Sequence, residues 1–567
     1  MTIQHRDMTQ LVDMTREMGT GPVRTHRPSY VSLLPPCNNA CPAGEDIQAW
    51  LAHAQAGRFQ KAWLKLVEDN PFPAVHGRVC YHPCETGCNR NGLDSAVSIH
   101  AVERFLGDLA NEQGWQAPVA ASTGKRVLVI GAGPGGLAAA YHLRRLGHAV
   151  EIHEAGPMPG GMLHFGIPAY RLPREDLMKE VRRIEAMGVK IVLNRKVDDV
   201  NANRFAGNFD AAFIAIGTQI GKRIDIPARD ASKVLTAVEL LRGAETGTPP
   251  KLGRRVAVYG AGDTAMDAAR TAKRLGAEEA TIIFFSDRAH MEAHTFEAEE
   301  AEAEGIKIKW LSSIRDIGDG DLKVEIMALD WSGHPQPTGQ FETLKADSVV
   351  LALGQQADSH FLQKVPGIAF KPDGAVIVAP DMMTGAPGIF AGGDLVPGDR
   401  TVTSATGHGK KAARNIDAWL RGERRAEPPV RPIVSFGMLN LPIYADAERT
   451  TQTEEPMAER IHSFGEIVAG LDRASALHEA RRCLSCGNCF ECDNCYAACP
   501  EDAIQKLGPG RGYSIHMALC TGCAVCVEQC PCHAMEMIPE PARTVQPVQA
   551  AVNGESRAAS NGAWVAR

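Results

Sequence analysis

At 567 residues the chain is longer than a single hydrophobic core usually organises, so its length predicts three or more domains. A net charge of -7, with acidic and basic residues interleaved, leaves no basic surface for nucleic acid or anionic lipid. No apolar run approaches the roughly 18 residues of a membrane span, and the N-terminus lacks the apolar core of a signal peptide. We therefore expect a cytoplasmic globular protein with no nucleic acid or membrane partner.

The 16 cysteines fall into two groups, one between residues 37 and 88 and the other between residues 483 and 532. A disulfide framework would scatter cysteines through the folded domains, whereas clusters spaced by three and four residues are typical of metal ligands in a reducing compartment. Unpaired structural thiols would not produce this clustering. The sequence therefore predicts metal sites near both ends of the chain.

The first predicted domain covers residues 1–121. Apolar residues recur with helical spacing from Glu45 to about Asn70, between the two groups of N-terminal cysteines. We expect a small helical domain that carries cysteines. At Lys125 the pattern changes to strand, glycine turn and helix, which begins an α/β region.

A dinucleotide-binding turn follows the strand that ends at Ile130. Gly131, Gly133 and Gly136 would permit the tight turn, the approach of a pyrophosphate and close helix packing, respectively. Glu154 ends the next strand, where a carboxylate can accept hydrogen bonds from a ribose. The acidic residue favours an adenosine without a 2'-phosphate, as in FAD or NAD.

A distant segment supports FAD at this turn. Residues 391–394, AGGD, end in Asp394 and resemble the segment of two-dinucleotide-domain flavoproteins in which an aspartate holds the flavin ribityl chain. A purely structural turn is the alternative, but the strand, the helix and the acidic residue all fit a cofactor. Gly161 is a further candidate for binding FAD.

A second turn of the same kind occurs at residues 256–272. Gly260 and Gly262 repeat the glycines, and Ala265 takes the third position, where it still permits close helix packing. This turn predicts a nicotinamide nucleotide site, with Asp263 and Thr264 at the start of the helix as further binding residues.

Residues from about 37 to 420 resemble the small subunit of NADPH-dependent glutamate synthase and the matching domains of dihydropyrimidine dehydrogenase. The motifs that carry the resemblance are GAGDTAMD, AIGT, LALG, AGGD and GRVC. The resemblance implies an electron-transfer flavoprotein with FAD, a nicotinamide nucleotide and 4Fe-4S clusters.

The nucleotide-specificity strand departs from this family. The family usually ends that strand with a Tyr-Arg-Arg sequence that serves NADPH, whereas this chain has Phe284, Phe285 and Ser286. Asp287 can accept a hydrogen bond from a ribose hydroxyl, while Arg288 keeps NADP(H) possible. We expect NAD(H), the alternative being that Asp287 and Arg288 form a solvated loop pair.

The predicted fold class is α/β with small α and α+β domains: a helical Fe-S domain, two nested Rossmann-like domains and a C-terminal bacterial-ferredoxin-like domain. The predicted order is the helical domain, the FAD-binding domain at 122–235 and 345–425, the inserted NAD(P)-binding domain at 236–344, a linker at 426–472, the ferredoxin-like domain at 473–541 and a disordered tail at 542–567.

Two runs near the C-terminus have the spacing C-x2-C-x2-C-x3-C-P. This is the pattern of two-cluster bacterial ferredoxins, in which three cysteines of one run and the last cysteine of the other hold each cubane. One cluster would take Cys489, Cys492, Cys495 and Cys530, and the other Cys499, Cys520, Cys523 and Cys526. Zinc is the alternative, but zinc sites rarely need four evenly spaced thiolates twice.

The family resemblance also implies iron-sulfur clusters in the N-terminal domain. It assigns one cluster to three cysteines and an acidic side chain, namely Cys41, Cys80, Cys84 and Glu103. The second cluster would retain only Cys37 and Cys88, because the Cys-x2-Cys pair that normally precedes it is missing.

Cys483 and Cys486 are surplus to the ferredoxin pattern. They lie in EARRCLSCGNC, which resembles the segment that opens the family's N-terminal domain. We hypothesise that they join Cys37 and Cys88 in a further cluster. The alternatives, at equal weight, are free thiols or an extension of the ferredoxin domain. The sequence assigns no role to Cys532.

These features predict an oxidoreductase subunit that passes electrons between NAD(H) and 4Fe-4S clusters through FAD. Residues 89–482 contain no cysteine, so a flavin cannot pass electrons onward through a disulfide. The partner would be a 2-oxoacid, aldehyde or acyl-CoA oxidoreductase, or ferredoxin. The alternatives are a glutamate synthase small subunit and, from another class, a non-enzymatic redox-sensing scaffold. The cofactors carry the hydride chemistry, so no acid or base residue is predicted.

Overall fold

The computed structural model describes residues 24–224, 226–229, 233–426 and 429–540, and the statements below concern those residues. They form two compact units, the larger with residues 32–490 and 531–534, the smaller with residues 24–31, 491–530 and 535–540. The tail predicted to be disordered lies outside the described residues. No described helix combines the length and apolar character that crossing a membrane requires.

The larger unit begins with six helices around the N-terminal cysteines. Three of these helices begin with a proline: Pro36, Pro73 and Pro83. Proline is favourable at the first helical position, because a backbone N–H there would form no hydrogen bond within the helix. Trp50 and Trp63 are fully buried, which confirms the predicted helical core. The helices are α1 Pro36–Ala40, α2 Ile47–Gln55, α3 Phe59–Leu66, α4 Pro73–Val79, α5 Pro83–Thr86 and α6 Ile99–Gln113.

A five-stranded parallel sheet carries the first dinucleotide turn. Its strands in spatial order are β16 Ile389–Ala391, β5 Ala211–Ile214, β2 Arg126–Ile130, β3 Ala149–His153 and β4 Lys190–Val192. Its helices are α7 Pro134–Arg145, α8 Met162–Phe165, α9 Arg174–Ala186, α10 Val200–Ala206 and α14 Val402–Leu420. Helices α7 and α14 pack so closely that a Cβ on Gly409 would collide with the carbonyl oxygen of Gly135.

A second five-stranded parallel sheet carries the second turn. Its strands in spatial order are β10 Lys307–Lys309, β9 Glu279–Ile283, β8 Arg255–Tyr259, β14 Ser348–Leu351 and β7 Val234–Thr236. Its helices are α11 Ala237–Glu245, α12 Asp263–Arg274 and α13 Thr295–Ala303. The chain therefore leaves the first sheet, builds the second and returns to the first at β16.

The edges of the second sheet differ from the predicted boundaries at 235 and 345. The predicted boundaries place all of β14 and the first two residues of β7 in the FAD-binding domain, but β14 pairs in parallel with β7 and β8. A short apolar run predicts a buried strand without identifying its partner strands, so sequence alone misplaced both.

Three antiparallel strands extend the NAD(P)-binding region: β11 Ser312–Ile317, β12 Asp321–Leu329 and β13 Pro335–Lys345. The chain passes between the two sheets twice, and the two connecting segments form a short antiparallel ribbon. Its strands are β6 Ile220–Gly221 and β15 Gln355–Gln356. Two hydrogen-bonded crossings give the inserted region a double connection to the first sheet.

The predicted linker and the residues after it belong to the larger unit. This segment contains α15 Met457–Arg460 and α16 Arg473–Arg481. Helix α16 packs on α2 and α6, and buried Glu479 accepts a 2.8 Å hydrogen bond from the backbone N–H of Ser98. Residues 473–490 therefore belong to the larger unit with the N-terminal helices, whereas the prediction placed them in the ferredoxin-like domain.

The smaller unit contains most of the ferredoxin-like region. Its elements are β1 His26–Tyr30, α17 Asn494–Ala498, β17 Ile504–Lys506, β18 Tyr513–Ile515, α18 Val525–Glu528 and β19 Met535–Pro539. Strand β1 pairs antiparallel with β19, and β17 pairs antiparallel with β18. Residues 26–30 therefore belong to this unit and not to the helical domain predicted for 1–121, because they complete a ladder with the last described strand.

Candidate functional site

The first glycine turn has the shape that a dinucleotide pyrophosphate requires. Gly131 has φ of 103°, and a Cβ there would collide with the carbonyl oxygen of Ala215. A Cβ on Gly136 would collide with the carbonyl oxygen of Gly131, so α7 packs directly on the turn. At Gly133, which begins α7, a Cβ would meet no described atom within 4 Å. The open side therefore lies at the helix N-terminus, where phosphate oxygens bind favourably.

Glu154 and Gly161 lie beside this turn. The Glu154 carboxylate accepts 2.7 Å hydrogen bonds from the backbone N–H groups of Ala132 and Gly156. Each oxygen retains a lone pair for a ribose hydroxyl. A Cβ on Gly161 would lie 2.9 Å from the Cα of Gly133, which explains the small residue. The roles of both residues in binding FAD stay predictions.

Asp394 lies in the loop between β16 and α14. Burial raises the pKa of its carboxyl to about 6, while Arg400 and a hydrogen bond with Thr218 favour the ionised form. A half-buried carboxyl that is not fully neutralised suits a hydroxyl-bearing ligand such as a ribityl chain. The geometry is compatible with FAD along α7 and the start of α14.

The second turn repeats the first. Gly260 has φ of 126°, and a Cβ there would collide with the carbonyl oxygen of Ala352. Gly262 precedes α12, and the space beside it is open. A Cβ added there would lie 3.8 Å from the nearest described atom. Asp263 accepts a 2.9 Å hydrogen bond from the His294 N–H, and the Thr264 hydroxyl accepts one of 3.4 Å from Gln355. The turn can therefore hold a second pyrophosphate.

The residues after β9 determine which nucleotide fits. Phe284 is buried and Phe285 is 40% exposed, so neither supplies a cation. Asp287 accepts two hydrogen bonds from His290, which lower the pKa of its carboxyl. The Arg288 guanidinium lies 3.0 Å from the Glu302 carboxylate. The one arginine of this segment is therefore already paired with an acid.

In the smaller unit, four predicted cluster ligands line one small pocket of about 20 Å³ that opens to solvent. They are Cys499, Cys520, Cys523 and Cys526. Burial and the charges of nearby cysteines raise the pKa of the Cys526 thiol to about 12. Thiolates this crowded require a cationic centre, which a 4Fe-4S cluster provides. The residues thus fit the ligand set predicted from the two-run pattern.

The other predicted ferredoxin set is also partly visible in this unit. Burial raises the pKa of the Cys495 thiol, and the charges of Cys492 and Cys530 raise it further. The hydroxyl of Tyr30 lies 3.9 Å from the Cys495 sulfur. The fourth predicted ligand, Cys489, belongs to the larger unit. It lies two residues before Glu491, where the chain enters the smaller unit.

In the larger unit, Cys41, Cys80, Cys84 and Glu103 come together. Cys41 follows α1, Cys80 follows α4, Cys84 lies in α5 and Glu103 lies in α6. The pKa of Cys84 is raised first by burial and then by neighbouring acids and thiols, Cys80, Cys41 and Glu103 among them. Burial also raises the pKa of the Glu103 carboxyl well above its usual range. A metal cluster would stabilise the ionised form of this side chain.

Sequence reasoning missed the polar residues around this group. The amide nitrogen of buried Asn70 lies 3.0 Å from Glu45, 3.0 Å from His76 Nδ1 and 2.7 Å from Glu103. Two amide hydrogens cannot serve three acceptors, so one acceptor needs another partner. Iron at Glu103 would meet that need. These residues are distant in sequence and belong to no short motif, so no local signal could have found them.

Among the described residues, two groups of potential metal-binding side chains have all donor atoms within 4.8 Å of one another, and neither contains a cysteine. Four sulfurs around one zinc ion lie only about 3.8 Å apart, because Zn–S bonds are about 2.3 Å long. The cysteine groups are therefore wider than a preformed zinc site.

Cys37, Cys88, Cys483 and Cys486 also converge in the larger unit. The pKa of Cys37 is raised first by burial and then by the charges of Cys483, Cys88 and Cys486. None of the four forms a disulfide. The structure thus brings together cysteines from opposite ends of the sequence.

Two family models match the chain. The model of pyridine nucleotide-disulphide oxidoreductases matches residues 125–409. The model of dihydropyrimidine dehydrogenase domain II, which holds a 4Fe-4S cluster, matches residues 31–115. These matches confirm the predicted FAD and NAD(P) cofactors and an N-terminal iron-sulfur domain.

Curated relatives agree. The beta subunit of the NADP(+)-dependent formate dehydrogenase of Moorella thermoacetica is 36% identical over 499 residues, which cover 80% of this chain and 70% of the relative. The NADPH glutamate synthase small chain of Escherichia coli K12 is 33% identical, covering 68% and 89%. The NAD-dependent dihydropyrimidine dehydrogenase subunit PreT of Salmonella typhimurium LT2 is 33% identical, covering 68% and 91%. The resemblance predicted from the motifs is confirmed.

Proposed function

The chain belongs to the pyridine nucleotide-disulphide oxidoreductase family, and on that basis we propose that it is the NAD(H)-linked electron-transfer subunit of a larger oxidoreductase. The observation that carries this proposal is the combination of two open glycine turns with clustered cysteines in one chain. A disulfide reductase of the same family would need a cysteine pair near the flavin, but residues 89–482 contain none.

Bound FAD would supply the exchange between a two-electron hydride donor and clusters that accept one electron at a time. The protein's own residues bind and orient the cofactors. The N-termini of α7 and α12 direct backbone N–H groups at the two pyrophosphates, and Glu154 and Asp394 bind hydroxyl groups. Hydride transfer would be the chemistry of the bound cofactors, and these residues would serve to hold and orient them.

NAD(H) is the proposed nucleotide. Asp287 can accept from a ribose hydroxyl, whereas a 2'-phosphate at the same place would meet a like charge. The guanidinium of Arg288 would have to leave Glu302 before it could bind that phosphate. The relatives include enzymes named for NADP, NADPH and NAD, so the residues after β9 decide the preference in this chain.

The proposed partner is an oxidoreductase subunit that exchanges electrons with the C-terminal clusters. A relative that is itself the beta subunit of a formate dehydrogenase supports this arrangement. By its chemistry the partner would be a 2-oxoacid, aldehyde or acyl-CoA oxidoreductase, or a ferredoxin. A glutamate synthase small subunit is a weaker proposal, because the relative of that name matches 68% of this chain, whereas the formate dehydrogenase subunit matches 80%.

Anaerobic reduction of an artificial dye by the purified chain tests the proposal. We expect reduction with both nucleotides and a higher kcat/KM with NADH than with NADPH. A higher value with NADPH would reject the nucleotide assignment, and no reduction with either would reject the enzyme function. Copurification with a tagged chain should recover a second oxidoreductase subunit. Recovery of this chain alone from its native source would count against the proposed complex.

A further inference from the structure

The two ends of the larger unit are joined around Cys37, Cys88, Cys483 and Cys486. Arg482, next to Cys483, is almost fully buried and donates hydrogen bonds to the carbonyl oxygens of Ser95 at 2.7 Å and Ala96 at 2.9 Å. The side chain of Gln55 donates a 3.1 Å bond to the carbonyl oxygen of Cys483 itself. These bonds fix the C-terminal pair against the N-terminal helices.

Asn89 connects the remaining members of the group. It directly follows Cys88, and its amide lies 3.5 Å from the Cys486 sulfur and 3.0 Å from the carbonyl oxygen of Val434. An amide that donates to a sulfur favours the thiolate form of that sulfur. The neighbourhood of Cys486 is therefore suited to a ligand and not to an inert buried thiol.

Of the four cysteines, Cys37 and Cys486 are buried, and Cys88 and Cys483 are half-buried. Cys37 lies in the hydrophobic core of the larger unit, and Cys88 and Cys483 pack against that core. A zinc ion would need sulfurs about 3.8 Å apart, and no three of these sulfurs lie within 4.8 Å of one another. A cubane of iron and sulfide separates its four cysteine ligands more widely and supplies the missing positive charge.

We propose that Cys37, Cys88, Cys483 and Cys486 hold a 4Fe-4S cluster that joins the N-terminal helical region to the segment leading into the ferredoxin-like region. The site replaces a local cysteine pair with one from the far end of the sequence. The ligand set stands on geometry alone, while its role in electron transfer rests on the proposed function.

The position of this cluster along the chain suggests its role. Cys486 and Cys489 are separated by two residues, and three extended residues span at most about 10 Å. If Cys489 ligates the first ferredoxin cluster, the chain itself keeps the two clusters close. One electron would enter the proposed cluster and leave toward the ferredoxin-like region, with no bond made or broken.

Iron and sulfide analysis of the full-length chain tests the ligand set. We expect about sixteen iron atoms per wild-type chain, four for each of four cubanes. The double variant Cys483→Ser, Cys486→Ser should lose about four of them, and so should Cys37→Ser. The triple variant should lose no more than the double variant, because all three cysteines serve one cluster.

Cys532→Ser is the matched control. Its sulfur donates a 3.2 Å hydrogen bond to the carbonyl oxygen of Asn488, so this substitution should leave the iron content unchanged. About twelve iron atoms in the wild type, or one zinc with twelve iron atoms, would overturn the proposal without any variant. Unchanged iron in the double variant would also overturn it.

The two proposals can fail separately. If the wild-type clusters are reduced by NADH but the double variant keeps all its iron, the cluster assignment is wrong and the proposed function stands. If NADH reduces no cluster in a wild type with sixteen iron atoms, the proposed function is wrong and the ligand set stands.

Discussion

Thr403 links the flavin-side helix to an N-terminal cluster site. Its hydroxyl, in the first turn of α14, donates a 3.1 Å hydrogen bond to the sulfur of Cys80. A hydrogen bond to a ligand sulfur stabilises the more negative, reduced cluster and so raises its reduction potential. We therefore propose that Thr403 is a positioning residue that would tune the cluster predicted at Cys41, Cys80, Cys84 and Glu103.

Thr403→Val removes this donor and keeps the shape of the side chain. We expect the midpoint potential of that cluster to fall by roughly 60 mV, which corresponds to a tenfold change in equilibrium constant for one electron. Thr403→Ser should retain the wild-type value. The measurement is a potentiometric titration monitored by electron paramagnetic resonance.

The signal of this cluster is identified by its loss in Cys80→Ser. The remaining cluster signals serve as internal controls and should keep their potentials. An unchanged potential in Thr403→Val, or an equal fall in Thr403→Ser, would show that the hydroxyl does not tune the cluster.

Nucleotide preference is a second property that single residues control. Phe285 is 40% exposed at the end of β9, where the family carries an arginine. Phe285→Arg should raise kcat/KM for NADPH about tenfold, because a guanidinium there can bind the 2'-phosphate. Phe285→Leu is the matched control and should leave the ratio of NADH to NADPH activity near the wild-type value. A ratio that moves equally in both variants would contradict the assignment.

At this scale, the sequence predicts residues that act through local spacing. Gly131 and Gly136 could be predicted because the turn and the helix contact are formed within six residues. Asn70 and Thr403 could not, because their partners lie far away in the chain and hydroxyl or amide side chains occur everywhere. Their roles depend on tertiary packing, which no local motif records.

At the scale of elements, a buried ion-pair network ties α12, α13 and α15 together. The Glu304 carboxylate, at the end of α13, is fully buried and lies 2.8 Å from Arg270, 2.6 Å from Arg274 and 2.8 Å from Arg460. Arg460 belongs to the segment predicted to be a linker. That segment therefore helps to fix the NAD(P)-binding region in place.

Glu304→Gln should destabilise this region by roughly 3 kcal/mol, because it leaves buried arginines without their shared counter-ion. The measurement is the urea denaturation midpoint followed by the fluorescence of Trp310, which is half-buried, because the other tryptophan of this region, Trp331, is already 98% exposed. Glu302→Gln changes an exposed glutamate in the same helix and should leave the midpoint almost unchanged. Equal midpoints for the two variants would contradict the importance of the network.

The stabilisation by Glu304 should depend on pH. Burial opposes its ionisation, but hydrogen bonds from Arg274, Arg270 and Arg460 hold the pKa of the carboxyl at about 2 in the folded state. A lowered folded-state pKa stabilises the protein above the unfolded pKa, and the contribution is lost as the pH falls toward 2. The difference between wild type and Glu304→Gln should be constant from pH 7 to about 5 and shrink below 4.5. A difference that grows on acidification would contradict this sign.

The existence of most elements followed from the sequence, but their assignment to sheets did not. Residues 348–351 form an apolar run that could belong to either sheet. Their pairing with β7 and β8 places them in the second sheet. Likewise β1 has no partner until β19 is formed at the other end of the sequence. Pairing between distant strands is a property of the folded chain.

At the scale of the whole molecule, two groups of cysteines flank two nested nucleotide-binding regions along the sequence. The order of sites along the sequence is cluster, FAD, nicotinamide nucleotide, FAD and cluster. This order follows from β16 returning to the first sheet after the second sheet is complete. Electrons from the nucleotide would therefore reach the clusters only through FAD.

Anaerobic reduction by NADH, followed by electron paramagnetic resonance, tests that requirement most directly in the wild type and in Gly136→Val. The valine would collide with the carbonyl oxygen of Gly131 and prevent FAD binding. We expect NADH to reduce at least one cluster in the wild type and none in the variant, while dithionite reduces the clusters of both. Clusters that NADH reduces equally without FAD, or wild-type clusters that stay oxidised while FAD is reduced, would contradict the account.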